Sequence, residues 1–463
     1  MPPAELVADY VVVGSGAMGM AFTDVLLAET DATVILIDRH HRPGGHWNDA
    51  YPFVRLHQPS AFYGVNSRAL GSGVKDRVGW NAGLYELASG AEVCAYFDQV
   101  MQQQFLPSGR VQYFPRCEWQ GDGRFFSLAS GREQRARARR RTVDATYMNV
   151  VVPSVRPPPY ALGPGVRCVP INGLATEART PSRYVVVGAG KTGMDAVLWL
   201  LANQVDPEAI AWIMPRDSWL LDRAAIQPAE LAGGLALGVA KQMAAIAGAD
   251  SVDALLDAVH AVGQLLRLDD SVRPTMYRCA TVTRAELEQL RRVRNVIRLG
   301  RVKRLERDRI ELENGEQPCH PDTLFVDCSA DGLARRPAVP VFAGERIALQ
   351  SVRTCQQVFS AAFIAHVEAS YADDAEKNAL CGVIPHPDSH VDFLRTTLAN
   401  AQNTMRWAQD PALTAWVARS RLDIFHAAAM ASLAGTSEIQ EAQRLLLQHT
   451  GPAVATLQRL LAQ

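Results

Sequence analysis

Six glycines in two copies of one pattern are the residues of this chain best placed to do chemistry. Gly14, Gly16 and Gly19 lie in GSGAMG, and Gly188, Gly190 and Gly193 lie in GAGKTG. Each set is G-x-G-x-x-G, and each follows a short strand-like run, Tyr10-Val11-Val12-Val13 or Tyr184-Val185-Val186-Val187. Such a turn suits a pyrophosphate. The first glycine permits the tight turn, the second lets the backbone approach the diphosphate, and the third lets helix and strand pack closely. The helix that follows turns free N–H groups and a positive dipole end toward the phosphates. A carboxylate about 20 residues further on can take both hydroxyls of a ribose, and Asp38 stands there in the first unit. The matching place in the second unit holds Arg216 instead. A guanidinium there can fork onto a 2′-phosphate, which favours NADPH over NADH; the plainer alternative is a surface arginine in a Pro-Arg-Asp turn. Lys191 and Thr192, inside the second turn, complete the candidate nucleotide contacts. GAGKTG does not have the spacing of a P-loop.

These turns need strands and helices to hold them, and the chain supplies both. MAFTDVLLAE and MDAVLWLLANQ are helix-compatible runs after the two turns, and Ala32-Thr33-Val34-Ile35-Leu36-Ile37 and AIAWIMPR are the strands beyond them. The expectation is an α/β protein with two Rossmann-like dinucleotide-binding domains, a helical insertion and a helical C-terminal segment. Residues 1–152 are the first segment of the first domain, closed by the prolines of VPSVRPPP. Residues 153–322 are the second domain, with the insertion at about 222–292 acting as a substrate lid or packed against that domain. Residues 323–463 return to the first domain and end in helices.

The run after Asp38 is Arg42-Pro43-Gly44-Gly45-His46-Trp47, then Tyr51-Pro52-Phe53-Val54-Arg55-Leu56-His57-Gln58-Pro59-Ser60. Gly44-Gly45 with Trp47 resembles the GGxW segment of the FAD-dependent class B monooxygenases, which comprise flavin-containing and Baeyer–Villiger monooxygenases. The second branch continues with YPxxRxDxPS; this chain matches at Tyr51, Pro52, Arg55, Pro59 and Ser60 and has His57 in place of the Asp. The resemblance implies FAD in the first site, with Gly45, His46 and Trp47 against it and the 51–60 loop beside the flavin ring. It implies NADPH as reductant, dioxygen as co-substrate, a C4a-(hydro)peroxyflavin, and oxygenation of a small organic molecule. His57 and Arg55 are then the candidate catalytic residues. An imidazole titrating at about 6.5 would handle a proton near the flavin; the alternative is that His57 only packs within the loop. The segment TLFVDCSADG resembles the closing strand of such an FAD domain, and the helix beginning near Gln357 can face its N-terminus to the flavin pyrimidine. Where the family carries FxGxxxH before the second glycine turn, this chain reads ALGPGVRCVPINGLATEARTPSRY. Two other functions remain open: an FAD-dependent oxidase or dehydrogenase without oxygen insertion, and a flavin-binding partner in a larger complex. The intact glycines of both turns argue against the last.

Composition narrows the classes further. With 463 residues the chain can bury a large core in two or three domains. A net charge of −1 offers no basic field for nucleic acid. MPPAELVADY has neither the basic nor the apolar region of a signal peptide, and LAGGLALGVA is too short to span a bilayer, so a cytoplasmic protein without membrane or nucleic-acid partners is expected. The 8 cysteines form no CxxC pair, which removes the basic signal for zinc or a redox dithiol, and no metal is expected. YELASGAEVCAYFDQVMQQQF is expected to be an amphipathic helix and VQYFPRCEWQGDGRFFSLASGRE to form hairpins. The arginines between 132 and 141 suit either a nucleotide phosphate or a solvated strand edge. VIRLGRVKRLERDRIELENGE should be a meander with an Asn-Gly turn. Nothing in the sequence specifies the substrate or the oligomeric state.

Overall fold

Val11 and Val12 are fully buried in the strand Glu5–Val13, around which the first sheet forms. The computed structural model describes residues 5–330, 333–334, 336–425 and 437–463. In it Glu5–Val13 pairs in parallel with Val34–Ile37 on one side and with Glu133–Asp144 on the other. Val34–Ile37 continues to Val111–Phe114, and Glu133–Asp144 to Arg346–Ala348, both also parallel. All four residues of Val34–Ile37 are buried, as a parallel strand covered on both faces requires. The register sets Val13 level with both Ile37 and Asp144, so the carboxyl ends of three strands meet at one rim. The helix Ala17–Glu29 starts from that rim and packs against Gln357–Ser370; both bury most of their length in the largest core.

The second sheet is wholly parallel, in the order Asn295–Ile297, Ile210–Ile213, Arg183–Val187, Thr323–Asp327, Arg167–Pro170. Its central strand ends level with both neighbours, Val187 opposite Ile213 and Asp327, and the helix Lys191–Ala202 follows. The placement of Thr323–Asp327 corrects the sequence expectation. It is an inner strand of the second sheet, and Arg346–Ala348 lies beside Glu133–Asp144 in the first. All five of its residues are buried, and a strand with no solvent face carries no pattern that assigns it to one sheet rather than another. The last two residues of TLFVDCSADG lie outside the described residues.

The insertion contains the helices Ala232–Ala247 and Val252–Ala261, but also the strand Met276–Val282, parallel to Ser218–Asp222. Its first helix packs against the C-terminal helix Ser437–Leu461: the Thr456 hydroxyl donates to Ala247 C=O at 3.3 Å, and Arg459 donates to Ala249 C=O at 2.7 Å. It is a packed insertion, held from outside by the end of the chain. The amphipathic helix starts later than expected, at Gly90, because Ser89 and Glu92 form a capping box there, and Gly90–Val100 continues as a π turn over Met101–Phe105. Residues 117–127 form the expected hairpin, but Val111–Phe114 joins the parallel sheet. The arginine run belongs to an inner strand rather than an edge, and Arg141 forks onto Asp374 at 3.1 and 2.6 Å. Two of the scattered cysteines, Cys279 and Cys355, are joined across 76 residues, which the absence of CxxC spacing could not show. Among the described residues no helix is long and apolar enough to cross a membrane.

Candidate functional site

The first glycine turn is built for contact at every glycine. Gly14 has φ +100, and a Cβ on Gly19 would stand 1.9 Å from the Gly14 carbonyl oxygen, so no side chain fits there. The first helical bond runs from Met20 N–H to Gly16 C=O at 2.9 Å, and no side chain caps the helix, which leaves the N–H groups of its first turn facing outward. The Gly44-Gly45 segment lies directly on this turn. Gly44 N–H donates to Ser15 C=O at 3.0 Å, and a Cβ on Gly45 (φ +56) would come within 2.8 Å of Gly16 Cα. Trp47 then donates from its indole N–H to the Tyr63 hydroxyl at 2.8 Å, and His46 stacks on Trp47 with ring centroids 5.2 Å apart. Burial pushes the His46 imidazole down to about 4, so it is neutral at ordinary pH.

Asp38 is at the end of its strand, 4% exposed, but its carboxylate is turned into the protein. Ser15 donates from N–H (2.5 Å) and hydroxyl (2.9 Å) to one oxygen. His40 N–H (2.7 Å) and Nδ1 (3.0 Å) meet the other, while His40 Nε2 lies 2.8 Å from Asp49. Hydrogen bonding to Asp38, ahead of that to Asp49, raises the affinity of His40 for its proton. With two partners on each oxygen, the carboxylate is filled. The open helix end and glycine-lined approach fit the diphosphate of FAD.

The second turn repeats the geometry. A Cβ on Gly193 would lie 2.0 Å from the Gly188 oxygen, which also accepts from the Trp212 indole at 2.8 Å. A Cβ on Gly190 would meet nothing within 4 Å, so the approach to this helix end is open. The Lys191 ammonium pairs with Asp195 one turn along the helix, and Thr192 lies beside it in the first turn. These residues fit a second diphosphate.

The chain from Gly44-Gly45 on the first turn reaches the helix after the second turn at the start of the 51–60 loop. The Tyr51 hydroxyl donates to Asp195 at 2.5 Å, and the Phe53 ring stacks on Trp199 at 5.0 Å. The buried Arg223 donates to His57 C=O at 3.1 Å and to the Asn81 side chain at 3.1 Å, and pairs with Glu286 at 2.9 Å. His57 Nδ1 is buried and has no partner among the described residues. Desolvation, with the charges of Lys191 and Arg223 close by, pushes its imidazole down to about 3. At ordinary pH the imidazole is therefore neutral, where the sequence suggested a group titrating near neutrality. Arg55 is exposed and donates to Leu87 C=O at 3.2 Å.

Arg216 is three residues beyond Ile210–Ile213, as the nucleotide reading requires, but its fork is occupied by Asp388 at 2.8 and 3.2 Å. Gln357 is the first residue of its helix. That helix end is enclosed by Arg353, which is 4% exposed and forks onto Asp423 at 3.3 and 3.1 Å. A cavity of about 370 Å³ lies nearby, lined by Tyr147, Arg278, Gln350, Pro385, His386 and Asp388 among others. Among the described residues no group of three or more His, Cys, Asp or Glu side chains could hold a metal ion. Sequence reasoning missed His40, Asp195, Arg223 and Asp388. Asp195 alone carried a local signal, its spacing of four from Lys191 on one helix face.

A family model for an NAD(P)-binding Rossmann-like domain matches residues 12–64. The uncharacterized proteins Rv2000 and MT2056 of Mycobacterium tuberculosis and Mb2023 of Mycobacterium bovis are each 56% identical over 424 residues, covering 91% of this chain and 79% of theirs. Among solved structures, an open cyclohexanone monooxygenase has a TM-score of 0.47 at 13% identity over 81% of this chain and 88% of its own. Bacillithiol disulfide reductase Bdr of Bacillus cereus has 0.45 at 12% identity over 79% and 99%.

Proposed function

The chain belongs to the family of the mycobacterial proteins Rv2000, MT2056 and Mb2023, and we propose that it is an FAD- and NADPH-dependent monooxygenase acting on a small organic molecule. The observation that carries this reading is the segment from Gly44 to Tyr51, seated by Gly45 on the first glycine turn and hydrogen-bonded through Tyr51 to Asp195 on the helix that follows the second. Two diphosphate sites joined by one loop suit the passage of a hydride from one bound nucleotide to another. Gly14, Gly16, Gly19 and Asp38, with Gly45, His46 and Trp47, hold FAD. Gly188, Gly190, Lys191, Thr192, Gly193 and Arg216 hold NADPH.

FAD, when bound, supplies the acceptor for the hydride and the site of reaction with dioxygen. The chain's own contribution is positioning and exclusion of water. Asp195 fixes the Lys191 ammonium beside the second turn, and the Phe53–Trp199 stack covers the helix that carries it. His57 offers a hydrogen bond without a charge, in a buried place where a permanent cation would be costly. The GGHW segment and the YPxxR…PS pattern favour oxygen insertion over simple oxidation, through the class B resemblance. The reaction is placed in the cytoplasm, where NADPH is supplied.

The test is to express the full chain, measure bound FAD, and follow NADPH and oxygen consumption with amines, sulfides and ketones. A monooxygenase consumes NADPH in step with oxygenated product. Stoichiometric hydrogen peroxide from a substrate without NADPH would instead identify an oxidase.

A further inference from the structure

Three charged side chains from distant segments meet where the second strand of the NADPH unit ends. Arg216 forks onto Asp388 at 2.8 and 3.2 Å. Arg278, from the inserted strand Met276–Val282, reaches the same carboxylate through Nε at 2.8 Å and through a terminal nitrogen. A guanidinium fork matches carboxylate and phosphate oxygens equally well in geometry. We propose that Asp388 is an internal stand-in for the 2′-phosphate of NADPH, that Arg278 is the second arm of the phosphate clamp with Arg216, and that nucleotide binding exchanges the carboxylate for the phosphate. This rests on the reading of the second turn as an NADPH site.

Charge and anchoring both support the exchange. Two guanidinium groups face the Asp388 carboxylate. A phosphate monoester brings −1.5 to −2 near neutral pH and matches the pair of arginines more closely. The pull of the arginines holds the Asp388 carboxyl well below its usual range, against the opposing effect of burial, so it is charged and competes at any ordinary pH. The backbone around Asp388 is fixed: Tyr277 N–H donates to its C=O at 3.1 Å, and His390 N–H donates to Thr275 C=O at 3.1 Å. Release is then a rotation of one side chain, with no loop movement. The Arg216 and Asp388 side chains are each about one third exposed, so a ligand can reach them. Arg278 and Asp388 also line the cavity of about 370 Å³, which gives the displaced carboxylate somewhere to turn.

The test is calorimetric binding of 2′,5′-ADP and of 5′-AMP to the full-length protein, with no turnover involved. Asp388→Asn should tighten 2′,5′-ADP by about tenfold, and Arg278→Gln should weaken it by about tenfold or more, as expected for one charge-assisted contact. Both should leave 5′-AMP unchanged. Opposite shifts in two variants cannot come from a general loss of fold. An Asp388→Asn variant that binds 2′,5′-ADP no better than wild type overturns the proposal, even if NADPH still reduces the flavin. Failure of 2′,5′-ADP and NADPH to bind any variant would overturn the NADPH reading, and the proposal with it.

Discussion

Gly190→Val separates the nucleotide role of the second turn from its structural role. Its neighbours cannot be used for this. Gly188 has φ +131, and a Cβ there would lie 2.5 Å from Cys328 C=O; a Cβ on Gly193 would lie 2.0 Å from the Gly188 oxygen. Gly190 has φ −82 and ψ −177, ordinary extended backbone, with nothing within 4 Å of an added Cβ. The substitution should therefore cost no more than about 1 kcal/mol of stability, the scale of a weakened helix cap. The same side chain occupies the approach to the helix end. Losing two charge-assisted contacts there, at roughly 1.5–3 kcal/mol each, raises the NADPH dissociation constant by about 100-fold to 10,000-fold. The assay is anaerobic flavin reduction as a function of NADPH concentration, alongside a thermal melt and the flavin content. A folded, yellow Gly190→Val protein with wild-type NADPH affinity would refute the assignment of this turn to the diphosphate.

Other outcomes follow from the same geometry. Gly16→Val should purify without flavin, because a Cβ there already lies 3.5 Å from Gly45 Cα and a larger side chain enters the diphosphate's approach; absorbance of the purified variant checks it. Arg216→Ala should lower the ratio of kcat/KM for NADPH over NADH by about 10- to 100-fold, from the loss of roughly 1.5–3 kcal/mol, and an unchanged ratio would assign discrimination elsewhere. His57 titrates ordinarily near 6.5 and is pushed down to about 3 by burial, so between those values the folded chain binds fewer protons than the unfolded one. Its contribution to stability is complete above about pH 6.5 and is lost as the pH falls toward 3; His57→Gln should flatten that acid slope in denaturation experiments. The same variant should keep any near-neutral inflection of NADPH oxidation, since His57 does not titrate there, and its disappearance would restore His57 as a proton carrier.

The glycine turns were legible because their constraints are local: each pattern places its glycines within six residues, and the structure gives a steric reason for each outer one. The start of the helix at Gly90 was also written locally, in the spacing of Ser89 and Glu92, although the apolar run before it suggested a longer helix. Thr323–Asp327 was legible as a strand but not by sheet, because burial on both faces erases the alternation that would orient it. Arg216 was legible by type and place, while its partner Asp388, 172 residues away, was not. The position of His57 was legible, but its protonation depends on Arg223 and on Lys191, brought to it by other segments. Asp38 shows the same limit: its place at the strand end follows from the spacing, whereas its engagement by His40 depends on Asp49 holding the far side of that ring.

The central claim is that the two turns hold two nucleotides that exchange a hydride, and anaerobic mixing of the purified protein with NADPH tests it most directly. The account predicts a yellow protein whose flavin absorbance bleaches at a rate that saturates with NADPH and is slower with NADH, and whose colour returns when oxygen is admitted. A colourless protein, or a yellow one that NADPH does not bleach, would contradict it.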